Sequence, residues 1–476
     1  MIRVANFIGG RFVAPHSGRY FDDINPATEE RIAEVPDSDG ADVDASVAAA
    51  RDAFPSWSKT PAAERSRILL KLAELIENDL ETLAVLESRD NGKALSLARR
   101  LDIPRAVANF RFFASAVLHD HTEAHVTDSA ALNYTLRQPL GVAGLISPWN
   151  LPLYLLSWKI APAIAAGNTC VAKPSELTPL TANHLAELSI AAGVPPGVIN
   201  IVHGVGQKAG RALTSHPDVP LISFTGGTVT GAAVAANAAP LFKKISLELG
   251  GKNPNVVFAD ADLDDCIATS IRSSFWNQGE ICLCGSRIFV ERPIYDTFVE
   301  RFVEATKKLR IGDPLDDKTD IGALISEAHL QKVLGYIELA KKEGGTIVTG
   351  GNRVDRQGFF VEPTVITGLG CECRVLQEEI FGPVVTVTPF DREDEAIAFA
   401  NSTRYGLASM IWTRDLQRAH RVAAAIDSGT VWINCWLLRD LRVPFGGMKE
   451  SGVGREGGFE SLRFFTEAKN VCVKLG

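Results

Sequence analysis

The stretch from residue 275 to 287, FWNQGEICLCGSR, contains a cysteine, Cys282, whose surroundings favour a catalytic nucleophile. It follows a polar segment with Gly279, which suits a turn after an apolar helix predicted for residues 267–276, and glycine lets backbone approach a ligand closely. A buried structural cysteine is the ordinary alternative. Because the thiolate is the reactive form, a nucleophile at this position needs a nearby base or positive charge.

A second cysteine, Cys284, forms a Cys-X-Cys pair with Cys282, and Cys371 and Cys373 form another. Such pairs could bind a metal or form a disulfide. Zinc sites, however, usually place two to four residues between thiols and add a second pair of ligands downstream. No cluster of histidines accompanies either pair, so the sequence predicts no metal site.

The candidate base is Glu248, in the segment LELGGK. Apolar neighbours favour a partly buried carboxylate there over a solvated one, and such a group could activate Cys282, a water molecule, or both. Gly279-Glu280-Ile281-Cys282, preceded along the chain by LELGGK, resembles the paired cysteine and glutamate signatures of the aldehyde dehydrogenase superfamily. The resemblance covers essentially the whole chain, and it implies oxidation of an aldehyde through a covalent adduct on Cys282.

That resemblance also implies an oxyanion site and a cofactor, NAD. Asn150, in the segment PWN, matches the family's side-chain oxyanion donor, although an asparagine after tryptophan is more often a turn or cap residue. Removing one such donor typically slows a reaction by on the order of a hundredfold. Lys173 and Glu176, after a predicted strand, match the residues that hold the adenosine ribose. An acidic residue there repels the 2′-phosphate of NADP.

Other segments match family positions that contact the cofactor. FTGG resembles the turn where backbone amides meet the pyrophosphate, with Gly227 in place of the family's serine. In EEIFGP, Glu379 and Phe381 match the residues around the nicotinamide ribose and ring. The turn with Gly206 and Gly210 departs from a dinucleotide fingerprint and could be an ordinary strand–helix turn. The remaining candidate cofactor contacts are Trp149, Thr225 and Gly226.

Three arginines are candidate substrate contacts: Arg105, Arg439 and Arg442. On the family pattern they lie along the substrate tunnel and its loop, which is often apolar. Because guanidinium binds carboxylate in a bidentate fork, they favour a carboxylated aldehyde as substrate. The alternative is that they are solvated or pair with Asp102 and Asp440. Several long stretches resemble the branch of the family that oxidises amino- and hydroxymuconic semialdehydes in tryptophan and aminoaromatic breakdown.

The composition excludes several other classes of function. A net charge of −8 and a pI near 5.7 argue against nucleic acid or an anionic membrane as the main partner. Eight cysteines in 476 residues fit reduced thiols in the cytoplasm rather than a disulfide framework. The N-terminal segment lacks the apolar core of a signal peptide, and prolines and a lysine interrupt the longest apolar stretch, so we expect no membrane span.

From residue 141 onwards, strands alternate with helices, which predicts an α/β fold with a doubly wound parallel sheet of the Rossmann type. We expect an NAD-binding domain over 1–118 and 139–249 and a second α/β domain, the catalytic domain, over 250–445. A two-stranded excursion at 119–138 and a C-terminal segment at 460–476 match the family's oligomerisation segments, which implies a homodimer or homotetramer.

Helical spacing predicts helices over residues 42–54, 62–89 and 103–117, and a helix capped by Thr178. Nothing in the sequence indicates that Lys159 or Lys173 is buried. Two other readings remain open: a non-catalytic member of the family and an acylating member. The survival of Cys282, Glu248 and Asn150 argues against the first of these. Glu248 argues against the second, because it can activate water.

Overall fold

A doubly wound parallel sheet lies at the centre of the first half of the chain, which confirms the predicted α/β class. The computed structural model describes residues 2–476. The five central strands run parallel, and every residue of Val142–Ile146 is buried, as expected for a sheet covered on both faces. From one edge to the other, the strands of this first sheet are Gly452–Val453, Lys244–Glu248, Leu221–Thr225, Val142–Ile146, Thr169–Lys173, Ile199–Ile201, Asn6–Ile8 and Arg11–Val13.

The strand order of the first sheet has a topological switch point between Val142–Ile146 and Leu221–Thr225. The chain adds two strands on one side of Val142–Ile146 and then crosses to the other side. Ligands of open α/β sheets bind at such switch points, outside the carboxyl ends of the strands. The fold therefore brings together the loop after Ile146, which contains Trp149, and the loop after Thr225, which contains Gly226 and Gly227.

A second sheet contains the strand that follows Cys282. Six of its seven strands are parallel, and an antiparallel strand lies at one edge. All its strands lie within the range predicted for the second α/β domain. In spatial order they are Thr346–Thr349, Thr364–Thr367, Val384–Phe390, Arg287–Glu291, Pro254–Val257, Ala408–Trp412 and Thr430–Ile433.

The predicted two-stranded excursion is present as an antiparallel hairpin, Ala124–Thr127 and Ala131–Pro139. The C-terminal strand Thr466–Lys474 pairs with the second hairpin strand along nine residues. This three-stranded sheet is called the terminal sheet below. The remaining strands are Ile2–Arg3, Tyr20–Ile24 and Arg31–Pro36, which pair together, and Tyr405–Gly406 with Met448–Lys449.

The helices cover both large sheets and mostly agree with the predicted ranges. The prediction of a single helix over 62–89 was wrong, because two helices, Ala62–Asn78 and Leu80–Asn91, occupy this range. The α-helices are Gly40–Trp57, Ala62–Asn78, Leu80–Asn91, Leu95–Leu97, Ile103–Ala116, Pro152–Ala165, Leu180–Ala191, Arg211–Ser215, Thr228–Ala238, Leu263–Phe275, Tyr295–Lys307, Glu327–Lys342, Arg374–Gln377, Glu393–Asn401, Leu416–Ala425 and Gly458–Phe464.

Asp79 breaks the predicted helix because it leaves the helical conformation (φ −107°, ψ 22°) and its side chain contacts His184. Aspartate competes with helical backbone bonding by making such side-chain bonds. The cap predicted at Thr178 was also wrong. Pro179 directly precedes the helix, and the Thr178 hydroxyl is buried without a hydrogen-bond partner.

Candidate active site

Cys282 lies in a loop whose shape depends on two unusual backbone conformations. After the helix Leu263–Phe275, Asn277 and Gln278 adopt left-handed φ values of 52° and 55°. The Asn253 side chain then donates a hydrogen bond to the Cys282 carbonyl at 2.8 Å. A strained turn held from both sides is typical of functional sites. The thiol is half-buried and free, as a nucleophile requires.

The Cys282 thiol is neutral in this state. Burial, followed by the nearby carboxyl groups of Glu248 and Glu379, raises its pKa to about 12. Arg439 opposes this shift. A positive charge bound beside the sulfur would lower this pKa, as the charge of Arg439 does, because an opposite charge favours the ionised form. The thiolate therefore needs a cationic neighbour or a base that removes its proton.

Glu248 ends the strand Lys244–Glu248 and projects into the same cavity. It is 4% exposed, and neither carboxyl oxygen has a hydrogen-bond partner. Burial raises its pKa well above the ordinary value, and the charge of Glu456 adds to the shift. A buried carboxyl without partners is costly, and its ionised form is a strong base. This geometry fits the predicted general base.

A buried ion pair beside Glu248 was missed by the sequence analysis. The Lys159 ammonium lies 2.9 Å from Glu456 Oε1 and donates to the Ser223 hydroxyl, also at 2.9 Å. Lys159 is wholly buried, contrary to expectation, and Lys173 is buried as well. The only feature of the sequence that indicates a buried charge here is a lysine inside the apolar helix Pro152–Ala165. Its partner lies 297 residues away, which no local pattern reveals.

Asn150 lies in the loop at the switch point of the first sheet. Its side-chain amide donates to the Glu280 carbonyl at 2.8 Å, which ties it to the cysteine loop and leaves the second N–H of that amide free. The backbone N–H of Cys282 is within reach of its own sulfur. The Asn150 side chain is thus held against the loop that contains Cys282, which is compatible with the predicted oxyanion site.

A partly open cavity lies beside the cysteine loop. Cys282, Glu248 and Arg439 all line it, and most of the remaining wall is apolar. A concave, mostly apolar surface with a few polar groups is typical of small-molecule sites. The other lining residues are Leu101, Leu151, Tyr154, Leu155, Trp158, Thr225, Leu249, Ile281, Leu283, Leu437, Phe445 and Glu456.

Two of the three predicted arginines lie close to one another, and one of them, Arg439, lines this cavity. Arg439 donates to the Tyr154 hydroxyl at 3.0 Å, and its guanidinium lies 3.9 Å from the centre of the Phe445 ring. Arg105 lies 5.6 Å from the centre of the Tyr154 ring, and its Nε and Nη2 are buried without partners. Both guanidiniums also lie within 6 Å of the Trp158 ring, at 5.9 and 5.6 Å. Stacking on aromatic faces holds these like charges near one another.

Arg442 is not brought to the cavity. Its side chain is 80% exposed and pairs with Asp440 at 2.6 Å, as the solvated alternative expects. Asp102 pairs with Lys93 instead of with an arginine. Spacing alone does not distinguish Arg439 from Arg442, because the loop after the strand Thr430–Ile433 turns sharply. Leu437 in that loop has φ 58°.

The predicted adenosine-ribose residues lie next to one another. The Lys173 ammonium lies 2.9 Å from Glu176 Oε2, and the backbone N–H of Gly206 hydrogen-bonds the same carboxylate. A side chain at Gly210 would approach the Lys173 stem. Burial raises the pKa of Glu176, but the charge of Lys173 and several hydrogen bonds outweigh that effect. The pKa of Glu176 therefore lies below its ordinary value. The Glu176 carboxylate is therefore ionised and can accept hydrogen bonds from hydroxyl groups.

The segment FTGG forms a turn at the N-terminus of the helix Thr228–Ala238. The hydroxyls of Thr225 and Thr228 are buried there without hydrogen-bond partners, and the N–H of Gly226 donates to the Glu248 carbonyl at 3.0 Å. A Cβ at Gly227 would meet no atom within 4 Å, so the turn is open. Orphaned donors and a helix N-terminus suit a phosphate group.

Glu379 contacts the glycine turn after Glu248, and Phe381 contacts Trp149. Glu379 Oε1 accepts the N–H of Gly251 at 3.0 Å, and a Cβ at Gly250 would lie 2.2 Å from its other oxygen, so only glycine fits there. The Trp149 and Phe381 rings meet edge to face at 5.3 Å. Glu379 also lies near enough to Cys282 for its charge to raise the pKa of that thiol.

Between residues 2 and 476, no group of three or more histidine, cysteine, aspartate or glutamate side chains could hold a metal ion. No helix in the same residues is long and apolar enough to cross a membrane.

The chain is similar in sequence and structure to known proteins. A model of the Aldehyde dehydrogenase family matches residues 12–471. The chain is 56% identical to the 2-aminomuconic semialdehyde dehydrogenase of Danio rerio, with 98% of each chain covered. It is 50% identical to the 2-hydroxymuconic semialdehyde dehydrogenase of Pseudomonas sp. (strain CF600), with 100% of each covered. A structure of Bacillus cereus aldehyde dehydrogenase in complex with NAD+ superposes with a TM-score of 0.98 at 43% identity, covering 100% of this chain and 97% of that one.

Proposed function

The chain belongs to the aldehyde dehydrogenase family, and we propose that it oxidises 2-aminomuconic 6-semialdehyde to 2-aminomuconate with NAD as hydride acceptor. The observation that carries this proposal is Arg439, which lines the cavity of Cys282 and has Arg105 beside it on the Trp158 ring. A muconic semialdehyde has a carboxylate and an aldehyde in one small molecule. Two arginines held on aromatic rings bind the first while the cysteine attacks the second.

The residues of the chain have separate tasks in this reaction. Cys282 Sγ attacks the aldehyde carbon, and its proton leaves for Glu248 or for solvent. The N–H groups of Asn150 and Cys282 stabilise the oxyanion of the thiohemiacetal. NAD, when bound, would supply the hydride acceptor, and loss of hydride from the adduct would leave a thioester on Cys282. Glu248 then removes a proton from the water that hydrolyses the thioester, and Lys159 with Glu456 stabilises the changing charge beside it.

The residues around the predicted cofactor site fit NAD. Lys173 and Glu176 would hold the adenosine ribose, and the carboxylate of Glu176 disfavours a 2′-phosphate. The partnerless hydroxyls of Thr225 and Thr228 would bond the pyrophosphate. Glu379, Phe381 and Trp149 would surround the nicotinamide ribose and ring.

A second candidate substrate is 2-hydroxymuconic semialdehyde, because two bacterial relatives at 50% and 48% identity bear that enzyme's name. Both substrates offer the same carboxylate to the arginines. The two substrates differ in one amino or hydroxyl group. Selectivity between them therefore depends on the hydrogen bonds that the protein makes to that group.

The protein's setting is a further part of the proposal. A role in tryptophan breakdown follows from the aminomuconic substrate. The free state of all eight cysteines supports the cytoplasm. The terminal sheet supports a homodimer or homotetramer, because the strand Ala124–Thr127 is wholly exposed at its edge and can pair with a second chain.

The test measures NADH formation with 2-aminomuconic semialdehyde, 2-hydroxymuconic semialdehyde and hexanal. We expect strong turnover of the muconic substrates, weak turnover of hexanal, and no turnover by Cys282→Ala. Cys284→Ala is the matched control, since it removes a thiol two residues away and should keep activity. Equal turnover of hexanal would contradict the substrate class. Activity in Cys282→Ala would contradict the nucleophile.

A further inference from the structure

A cluster of three ionisable side chains lies beneath the Asn150 loop and takes no part in the reaction described above. The Lys93 ammonium lies 2.5 Å from Asp102 Oδ2 and 3.6 Å from Glu87 Oε1. All three side chains have no exposed surface. The single ammonium group of Lys93 thus lies close to two carboxyl groups in a fully buried region.

Such a cluster is a poor source of stability. Taking charges out of water costs several kcal/mol per ion, and apolar residues of the same volume often serve as well. Burial raises the pKa of Glu87 to about 7 and also raises the pKa of Asp102, with Lys93 opposing both shifts. Glu87 Oε1 and Asp102 Oδ1 also lack hydrogen-bond partners. The cluster therefore calls for an explanation other than the stability of the fold.

The contacts of the cluster point to the active site. Lys93 Nζ donates to the backbone carbonyl of Asn150 at 2.9 Å, and Glu87 Oε2 accepts the N–H of Leu153 at 3.4 Å. The Asn150 carbonyl accepts a second bond, from the Asn277 amide at 3.0 Å. Both sides of the Asn150 loop are thus fixed from below, while the Asn150 side chain faces the cysteine loop.

The third member of the cluster leads to the substrate arginine. Asp102 is the last residue of a π-helical turn, Ala98–Asp102, and the helix Ile103–Ala116 that contains Arg105 begins directly after it. π-Helical turns are rare and occur frequently at functional sites. The bond from Lys93 to Asp102 therefore fixes the starting point of the Arg105 helix relative to the Asn150 loop.

We propose that Lys93 is a positioning residue that sets the oxyanion donor Asn150 and the carboxylate-binding Arg105 at a fixed separation. Because the aldehyde and carboxylate groups of a muconic semialdehyde are joined by a rigid conjugated chain, both contacts form at once only if this separation is held. Misplacing a catalytic group by about 1 Å can slow a reaction about a hundredfold. The inference rests on the roles of Asn150 and Arg105 in the proposed function.

A double-mutant cycle on kcat with hexanal tests the link to Asn150. We expect Lys93→Met and Asn150→Ala each to lower kcat by about 10- to 100-fold. If Lys93 acts through Asn150, adding Lys93→Met to Asn150→Ala should change kcat by less than about twofold, since coupled residues are not additive. A buried lysine that only stabilised the fold would give the same loss of kcat in both backgrounds.

The outcomes separate this inference from the proposed function. Single effects that multiply in the double variant would overturn the positioning role and leave the oxyanion assignment intact. An unchanged kcat in Asn150→Ala would overturn both. If Lys93→Met does not accumulate as folded protein, the near-isosteric Asp102→Asn replaces it in the same cycle, with the same criterion of non-additivity.

The link to Arg105 has its own readout. Asp102→Asn should raise KM for the muconic substrates by about 2- to 10-fold, the effect of one hydrogen bond, and leave KM for hexanal unchanged. An equal change in KM for both substrates would overturn this half of the proposal.

Discussion

Two neighbouring groups of side chains at the candidate active site differ in how they accommodate buried charge. The reaction group is Cys282, Glu248 and Asn150, and the arginine group is Arg105, Arg439 and Tyr154. In the reaction group, burial raises the pKa of the thiol and of the carboxyl, and the Glu248 oxygens have no partners. In the arginine group, aromatic rings and a tyrosine hydroxyl support the guanidiniums.

The difference follows from what each group does. A nucleophile and a base must exchange protons and bonds, so a permanent partner would compete with the reaction. A residue that recognises a carboxylate must instead keep its charge and its orientation. Arginine meets both needs, because it stays protonated and presents a rigid fork. Substitutions in the reaction group should therefore change kcat for every aldehyde, and those in the arginine group should change KM for carboxylated ones.

The largest expected effect is that of Glu248→Gln on kcat. Loss of a general base typically costs about 10²- to 10⁴-fold, and hexanal should lose as much as a muconic substrate. The carboxyl must be ionised to act. The wild-type rate should therefore fall as the pH falls through the raised pKa of Glu248, whereas the variant should lack this limb. A variant with the same pH profile would show that another group is the base.

The same substitution should stabilise the protein at alkaline pH. The folded state holds the Glu248 proton more tightly than the unfolded state, because burial raises its pKa. Stability therefore declines as the pH rises from the ordinary carboxyl pKa through the raised one. Glu248→Gln removes that loss, so its Tm should exceed that of the wild type at pH 8 and match it near pH 4. A lower Tm at pH 8 would contradict the unpaired state of Glu248.

A smaller effect is expected from Tyr154→Phe. The change keeps the ring near Arg105 and removes the hydroxyl that accepts from Arg439 at 3.0 Å. KM for the muconic substrates should rise about 2- to 10-fold, the effect of one hydrogen bond, while kcat/KM for hexanal stays unchanged. Tyr134→Phe, in the terminal sheet, is the matched control. A fall in kcat for both substrates would mean that the two groups are not separable.

The smallest effect is expected from Gly227→Ser, which lies outside both groups. Gly227 has φ −73° and open space around its Cβ position, so serine fits without strain. Its hydroxyl would add one donor for the pyrophosphate, and KM for NAD should fall about 2- to 10-fold. KM for both aldehydes should be unchanged. A rise in KM for NAD would mean that this turn does not meet the pyrophosphate.

The comparison also separates what the sequence could predict from what it could not. The alternation of strands and helices and the segments around Glu248 and Cys282 were readable, because each is a local pattern. The pairing of Lys159 with Glu456 was not, because it joins residues far apart in the chain. Local periodicity also could not distinguish Arg439 from Arg442. Their exposure depends on the path of a loop with a left-handed residue, Leu437.

Errors in the predicted elements have the same origin. Helical spacing continues through Asp79, and only the contact of its side chain with the distant His184 explains why the helix breaks there. The role of Thr178 as a cap was inferred from residue type. The helix begins two residues later, after Pro179, which has no side-chain acceptor.

The most direct test of the central claim compares Arg439→Ala with Arg442→Ala. Both remove one arginine from the same loop, but only Arg439 lines the cavity. Arg439→Ala should raise KM for muconic semialdehydes by about 10- to 100-fold, as expected for a charged hydrogen bond, and leave KM for hexanal unchanged. Arg442→Ala should change neither. An equal rise in KM for both aldehydes in Arg439→Ala, or a larger effect from Arg442→Ala, would contradict the account.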